Sequence, residues 1–197
     1  MPNLGNPNHP QPGSSIWVSP IRDTLMIQEL KELLAPYPLY SCLFIVGINT
    51  AFRAGDLLKF KVSDVKDLAP MDDFVISEEK TSKRRRISLN QACIESIQRL
   101  IQENSLSDSD YLFKGQRGVL TVPSLSQYMK KWCRQVGLKG NYGSHTLRKT
   151  WAYHQYVTFG SSLAMICECL NHSSERQTLA YLGIQPEDVK KLYQNNL

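Results

Sequence analysis

Apolar residues begin to recur at helical spacing at Ile21, and the first helix is predicted from there to just before Pro36. Its apolar positions are Ile21, Leu25, Leu30, Leu33 and Leu34. The next segment, residues 39–51, contains no charged side chain, which is typical of a buried helix. We expect this second helix to bring Arg53, just beyond its end, to the interior.

Two short β-type runs interrupt the helical pattern. Residues 74–77 and 86–89 are joined by the charged stretch 78–85, so the sequence predicts a hairpin or the edge of a three-stranded sheet. Asn90 is suited to cap a helix over residues 91–102. Further helices are predicted at about 124–136, 145–157, 161–169, 174–181 and 186–194. The expected fold class is mainly α with a small antiparallel β-sheet.

The start of the chain has a different composition. Residues 1–20 are dense in Pro, Asn and Gly and lack helical periodicity, as in a flexible arm or an extended strap. Residues 21–197 are enough for one domain with a sizeable core. No apolar run is long enough for a membrane span, and the first residues do not form a secretory signal. We therefore expect a cytoplasmic protein with no membrane partner.

Charge and cysteine content constrain the function only weakly. The net charge of +5 is moderately basic, so charge alone is weak evidence for a nucleic-acid partner. The five cysteines form no CxxC pair and are expected to be reduced thiols. The usual motifs of P-loop, dinucleotide-binding, zinc-protease and serine-hydrolase sites are absent from the sequence.

Candidate chemistry lies in a set of basic residues and one tyrosine. Arg53 follows the apolar helix and precedes Asp56, and the charged stretch carries Lys80. Residues 145–148 read His-Thr-Leu-Arg, and Tyr181 follows His172 by nine positions. An HxxR motif alone is a weak signal, because short motifs recur by chance. Only the complete set of basic residues with Tyr181 therefore indicates a function.

These residue types fit nucleophilic attack on a phosphodiester. Two guanidiniums, Arg53 and Arg148, can hold the non-bridging oxygens of a pentacoordinate phosphorus with paired hydrogen bonds. A tyrosine nucleophile must react close to the phenolate form, although a free tyrosine has a pKa near 10. Tyr181 would therefore need positive charge nearby and a proton acceptor.

In these residues and their spacing, the chain resembles the catalytic domain of the tyrosine recombinase (phage integrase) family over nearly all of residues 21–197. The segments are Asn-Thr-Ala-Phe-Arg-Ala-Gly-Asp-Leu-Leu at 49–58, the lysine segment at 80–89, the HxxR box, and the closing segment at 170–181. The six family positions are filled by Arg53, Lys80, His145, Arg148, His172 and Tyr181.

The resemblance implies a role for each residue. Tyr181 is the expected nucleophile, His145 the base, Lys80 the acid for the departing 5′ oxygen, and His172 a phosphate ligand. The product is a 3′-phosphotyrosine link that a free 5′ hydroxyl can reverse. The resemblance implies that no metal, ATP or other cofactor is required.

The basic run around the lysine has two interpretations. Lys83, Arg84, Arg85 and Arg86 could be a solvated loop, but beside Lys80 we expect them to bind DNA phosphates. Lys83 is an alternative to Lys80 as the catalytic lysine, because it is only three residues away. Asp56 could orient Arg53 or simply lie on the surface.

The resemblance also implies partners. These are double-stranded DNA, further copies of the chain in a tetramer on paired sites, and an accessory DNA-bending protein. A short helix at 185–193, with Pro186 at its start, could dock on a neighbouring copy. Most family members have a separate N-terminal helical domain, so the sequence fits either a minimal recombinase or part of a longer protein. A topoisomerase-like strand passer and a DNA-binding regulator with a vestigial site remain alternatives.

Overall fold

The computed structural model describes residues 17–77, 84–184, 190 and 193–194. Within these ranges, no helix has both the length and the apolar character needed to cross a membrane. The helix predicted at 186–194 falls largely outside the described residues.

Helices dominate the described part of the chain, and the expected fold class is confirmed. The elements are α1 Thr24–Leu34, α2 Pro38–Asn49, α3 Ala54–Leu57, α4 Val62–Val65, β1 Asp73–Ser77, β2 Arg84–Ser88, α5 Gln91–Glu103, β3 Lys114–Gly115, β4 Gly118–Val119, α6 Val122–Gln135, α7 Ser144–Val157, α8 Leu163–Leu170 and α9 Glu175–Leu182. Strands β1 and β2 form the predicted antiparallel hairpin, with Phe74 opposite Ile87. Three features were not predicted: α3, α4 and the β3–β4 hairpin, which are too short to show a period.

Side-chain caps define several helix starts. The Asp23 carboxylate accepts a hydrogen bond from the Leu25 amide at 2.8 Å, and the predicted cap Asn90 accepts one from the Cys93 amide at 3.0 Å. Ser174 caps α9 in the same way. Such caps satisfy amides that have no partner within the helix, and each typically contributes about 1 kcal/mol. The cap predicted at Asn90 is confirmed, whereas α1 begins at Thr24, capped by Asp23, and not at Ile21 as the apolar spacing predicted.

The core has one large cluster and one small one. Helix α2 is central to the large cluster, where Leu43 and Phe44 are fully buried, and it packs mainly against α5 and α7. The small cluster lies between α7, α8 and α9, and its buried members are Ala51, Ala152, Ile166, Leu170 and Leu182. Tyr181 is partly buried against it. Because few apolar side chains anchor α9, its position depends on additional contacts.

One such contact is the extended segment of residues 17–22, which we call the N-terminal strap. It runs along α7: the Thr146 hydroxyl donates to the Ser19 carbonyl at 3.0 Å, and the Ile21 amide donates to the Thr150 hydroxyl at 2.9 Å. A ring nitrogen of His154 lies 2.9 Å from the Ile21 carbonyl oxygen. Ile21 was predicted to begin the first helix, but its backbone bonds to α7 instead, so it lies in the strap.

Close packing of α2 on α7 generates a stability prediction. A Cβ added at Gly47 would lie 2.6 Å from Leu147 Cδ1, and both residues are buried. Gly47→Ala should therefore lower the free energy of unfolding by about 1–2 kcal/mol, even though alanine favours helix. Urea unfolding measures the difference.

Gly115→Ala is the matched control, because its added Cβ would meet nothing closer than Leu120 Cδ2 at 3.4 Å. We expect this control to change the free energy of unfolding by less than about 0.5 kcal/mol. Equal stabilities of Gly47→Ala and wild type would show that α2 and α7 can separate without cost.

Candidate active site

Helix α7 supplies two of the expected site residues on one face. His145 is exposed in the first turn, and Arg148 is one turn further on, with only 3% of its surface accessible. The Arg148 Nη2 donates a 2.6 Å hydrogen bond to the carbonyl oxygen of Leu170, at the end of α8. Arg148 therefore joins α7 to the segment that carries His172.

Arg53 reaches the site from a different part of the chain. It is the N-cap residue of α3, immediately after the end of α2, and it is partly buried as expected. Asp56, in the following turn, has 7% of its surface accessible, so it does not lie on the open surface. The positive charge of Arg53 acts on both His172 and Tyr181.

The turn between α8 and α9 orients His172. Asn171 ends α8 in the left-handed conformation, with φ of 50°, a conformation that asparagine tolerates better than most residues. The His172 amide then donates to the Cys167 carbonyl at 3.1 Å. Its Nδ1 lies 3.0 Å from the hydroxyl oxygen of Thr178, which is fully buried in α9. Thr178 therefore fixes the rotation of the imidazole.

His172 and Tyr181 are in direct contact. Their ring centroids are 5.0 Å apart, with an edge-to-face angle of 77°. Both rings line a cavity of about 380 Å³. The complete lining is Arg53, His145, Arg148, Asn171, His172, Ser173, Gln177 and Tyr181. Five of the six residues predicted from the sequence thus share one cavity.

The sixth residue, Lys80, lies outside the described residues, as does Lys83. Arg84 and Arg85 belong to β2, but the structure describes only their backbone. Arg86 is exposed, and its Nη1 lies 3.1 Å from the Asp73 carboxylate on β1. An exposed pair of this kind is weak, so Arg86 can exchange this partner for another anion at little cost.

The electrostatics of the cavity favour a neutral His172. Burial, followed by the positive charges of Arg148 and Arg53, lowers the pKa of His172 to about 4. At neutral pH the imidazole is therefore uncharged, and one of its nitrogens can donate a hydrogen bond while the other accepts one.

Tyr181 is kept protonated in the free protein. Burial raises the pKa of its hydroxyl to about 12, and the nearby charge of Arg148 and then of Arg53 opposes this effect only in part. No described residue accepts a hydrogen bond from this buried hydroxyl. The arrangement provides cations that would stabilise a phenolate, but the free protein does not form one at neutral pH.

Several residues at the site were not predicted from the sequence. Thr178 orients His172, and the Gln177 side-chain oxygen accepts hydrogen bonds from the Ser173 amide and hydroxyl at 3.0 Å. Both follow His172 within two helical turns, a spacing that could have suggested them. Lys149 lies under the Tyr181 ring, with its Nζ 4.9 Å from the ring centroid. In the sequence, only its position next to Arg148 could have suggested that Lys149 lies near the site.

Comparisons with known proteins give a consistent result. The sequence matches the model of the phage integrase family over residues 25–188. It is 35% identical to the probable integrase/recombinase YoeC of Bacillus subtilis (strain 168), with 89% of this chain and 95% of that protein covered. It is 25% identical to the tyrosine recombinase XerC of Caldanaerobacter subterraneus subsp. tengcongensis, with 76% of this chain covered but only 42% of XerC.

Solved structures with the same fold are recombinases. The XerA recombinase superposes with a TM-score of 0.72 at 20% identity, covering 95% of this chain and 66% of XerA. The XerH site-specific recombinase bound to its palindromic difH substrate gives 0.71 at 19% identity, covering 89% of this chain and 52% of XerH. The chain thus spans about half to two thirds of these structures, and the likeness establishes the fold.

The low pKa of His172 predicts a specific contribution to acid sensitivity. Between the folded value of about 4 and the ordinary value of 6.5, the unfolded chain binds more protons at this position than the folded chain. The free energy of unfolding therefore falls as the pH falls through this window, and the contribution is fully present only above it. Because the His172 side chain is partly exposed, we expect its share of this fall in the free energy of unfolding to be about 1–2 kcal/mol. His172→Gln should therefore show a smaller fall than wild type by that amount.

Urea unfolding of both proteins across this pH window measures the effect. All carboxylates are present in both proteins, so their contributions largely cancel in the difference. Parallel curves for wild type and His172→Gln would mean that His172 titrates normally in the folded protein.

Proposed function

The chain belongs to the phage integrase family and is a tyrosine-type site-specific DNA recombinase, and we propose that Tyr181 is its nucleophile. The observation that carries this proposal is the shared cavity of Arg53, His145, Arg148, His172 and Tyr181. These residues come from distant parts of the chain, so their meeting around one tyrosine is not explained by local sequence.

The proposed reaction is a transesterification. The Tyr181 hydroxyl oxygen attacks the phosphorus and forms a 3′-phosphotyrosine bond, while the bond from phosphorus to the 5′ oxygen breaks. The hydroxyl proton passes to His145, and Lys80 protonates the departing oxygen. A 5′ hydroxyl from another strand then reverses these steps. Because the phosphodiester energy is kept in the tyrosine link, strand joining needs no further energy source.

Arg53 and Arg148 have two tasks in this scheme. Their guanidiniums bind the non-bridging oxygens and stabilise the extra negative charge of the transition state, an effect typically worth about 100- to 1000-fold per donor. They also favour the phenolate of Tyr181, as their opposing effects on its raised pKa indicate. Neutral His172 carries one N–H; with Nδ1 accepting from the Thr178 hydroxyl, that N–H lies on Nε2 and donates to the phosphate.

DNA is the partner that the family supports, and solved relatives include recombinases bound to DNA. We propose that Lys83, Arg84, Arg85 and Arg86 bind phosphates of the duplex beside the cavity. We also propose that the protein acts as a tetramer on paired sites, with an accessory DNA-bending protein as a further partner. The comparisons favour recombination over the topoisomerase-like and regulator alternatives, since the relatives are integrases and recombinases.

Covalent trapping tests the proposed nucleophile. Wild type, Tyr181→Phe and a control Tyr156→Phe are incubated with fragmented source-genome DNA without metal or ATP, then denatured, and the attached DNA is sequenced. Tyr156 is exposed on α7 and does not line the cavity. We expect wild type and the control to form adducts at discrete sites and Tyr181→Phe to form none.

Three results would contradict the proposal. Adducts retained by Tyr181→Phe would place the nucleophile elsewhere, and adducts scattered over the genome would favour topoisomerase-like strand passage. Adducts from none of the three proteins would favour the DNA-binding regulator.

A leaving-group experiment identifies the catalytic lysine. Lys80→Met should slow adduct formation on a recovered site by about 100-fold or more, because the 5′ oxygen then leaves without a proton. Replacing that oxygen by sulfur should restore the rate, since a thiolate with a pKa near 8.5 leaves without protonation.

Lys83→Met is the matched control for this experiment. It should weaken DNA binding and its salt dependence but leave the oxygen and sulfur substrates equally affected. If sulfur restored the rate of Lys83→Met but not that of Lys80→Met, Lys83 would be the catalytic lysine and Lys80 the DNA-binding one.

A further inference from the structure

Lys149 is a buried cation next to the site. It follows Arg148 on α7, and only 5% of its surface is accessible. Its Nζ lies 3.0 Å from the ring centroid of Trp17 and 4.9 Å from that of Tyr181. Among the described residues, no carboxylate shifts its pKa, which burial alone lowers to about 8. The two aromatic rings are therefore the contacts that stabilise its charge. Burying a cation without a carboxylate partner costs free energy, which suggests that the charge has a function.

The backbone of Trp17 is anchored to the loop before α7. The Asn141 side-chain amide donates a 2.6 Å hydrogen bond to the Trp17 carbonyl, and the Ser19 amide donates to the Asn141 carbonyl at 2.8 Å. These bonds anchor the strap to the loop before α7. The anchored backbone places the Trp17 ring, which is 46% exposed, against the Lys149 ammonium.

The same strap also contacts the end of α9. Gly183, two residues after Tyr181, has φ of 64°, and a Cβ there would collide with the Trp17 ring. The Arg22 Nη2 donates a 2.6 Å hydrogen bond to the Gly183 carbonyl. Trp17 thus contacts both Lys149 and the turn that ends α9, so the three parts form one packed unit.

We propose that Lys149, supported by Trp17, is a positioning residue that sets the ring orientation of Tyr181 for attack on the phosphate. The inference rests on the proposed role of Tyr181 as nucleophile. In-line attack tolerates little displacement of the attacking oxygen, and the small cluster under α9 offers few other restraints. A cation against the ring face also gains attraction as the phenol loses its proton, because the ring then becomes richer in electrons.

The main variants separate charge from packing. Lys149→Met keeps most of the side-chain volume and removes the charge, Lys149→Arg keeps the charge, and Trp17→Leu removes the aromatic support. Lys139→Met is the matched control, because Lys139 is exposed before α7. Each is assayed on a duplex carrying one site recovered by covalent trapping. The measured quantities are equilibrium binding and the single-turnover rate of adduct formation at saturating DNA.

We expect Lys149→Met and Trp17→Leu each to slow adduct formation about tenfold, with DNA affinity unchanged within about twofold. The double variant should be no slower than either single variant, because both substitutions disrupt the same contact. Lys149→Arg should recover most of the rate. Amide hydrogen exchange without DNA should show faster exchange in α9 for Lys149→Met and no change in α2 or α5.

Other outcomes would overturn the inference. A wild-type rate in Lys149→Met, or faster exchange throughout the protein, would show that Lys149 does not position Tyr181 specifically. Equal slowing by Lys149→Arg and Lys149→Met would show that the charge is not used. A wild-type protein that forms no adduct would refute the nucleophile itself, which distinguishes failure of the proposed function from failure of this inference.

Discussion

The hydrogen bond from the buried guanidinium of Arg148 to the Leu170 carbonyl is the interaction on which the site depends. It satisfies a carbonyl at the end of α8, and it fixes α7 relative to the turn that carries His172. A buried cation without such an acceptor would be costly, so this bond also keeps the guanidinium in place. The same side chain then acts electrostatically on His172 and Tyr181.

In the free protein the cavity holds two positive charges and two uncharged rings. Arg53 and Arg148 surround a neutral His172 and a protonated Tyr181, whose pKa is raised to about 12 mainly by burial. This excess of positive charge suits an anionic phosphate, which would neutralise the arginines as it binds. Deprotonation of the Tyr181 hydroxyl at neutral pH would therefore require a nearby proton acceptor, as the proposed reaction assigns to His145.

Helix α9 is held by contacts that differ from those of the main core. The large cluster around α2 is built from many buried aliphatic and aromatic side chains, whereas α9 rests on a few residues such as Ile166 and Leu182. Polar and cation–aromatic contacts from Arg22, Trp17 and Lys149 add to them. Helices with few apolar contacts are those that open most readily. Tyr181 therefore lies on an element whose position depends on these few contacts.

The sequence alone determined the longer helices, the β1–β2 hairpin, the cap at Asn90 and five residues of the cavity, because periodicity, capping and motif spacing are local properties. It could not identify Thr178 as the partner of His172 or the strap as the support of Lys149. Trp17 and Lys149 are far apart in the chain, and no local pattern encodes their distance. Only tertiary packing decided which face of α7 meets the strap, because burial there depends on several distant segments at once.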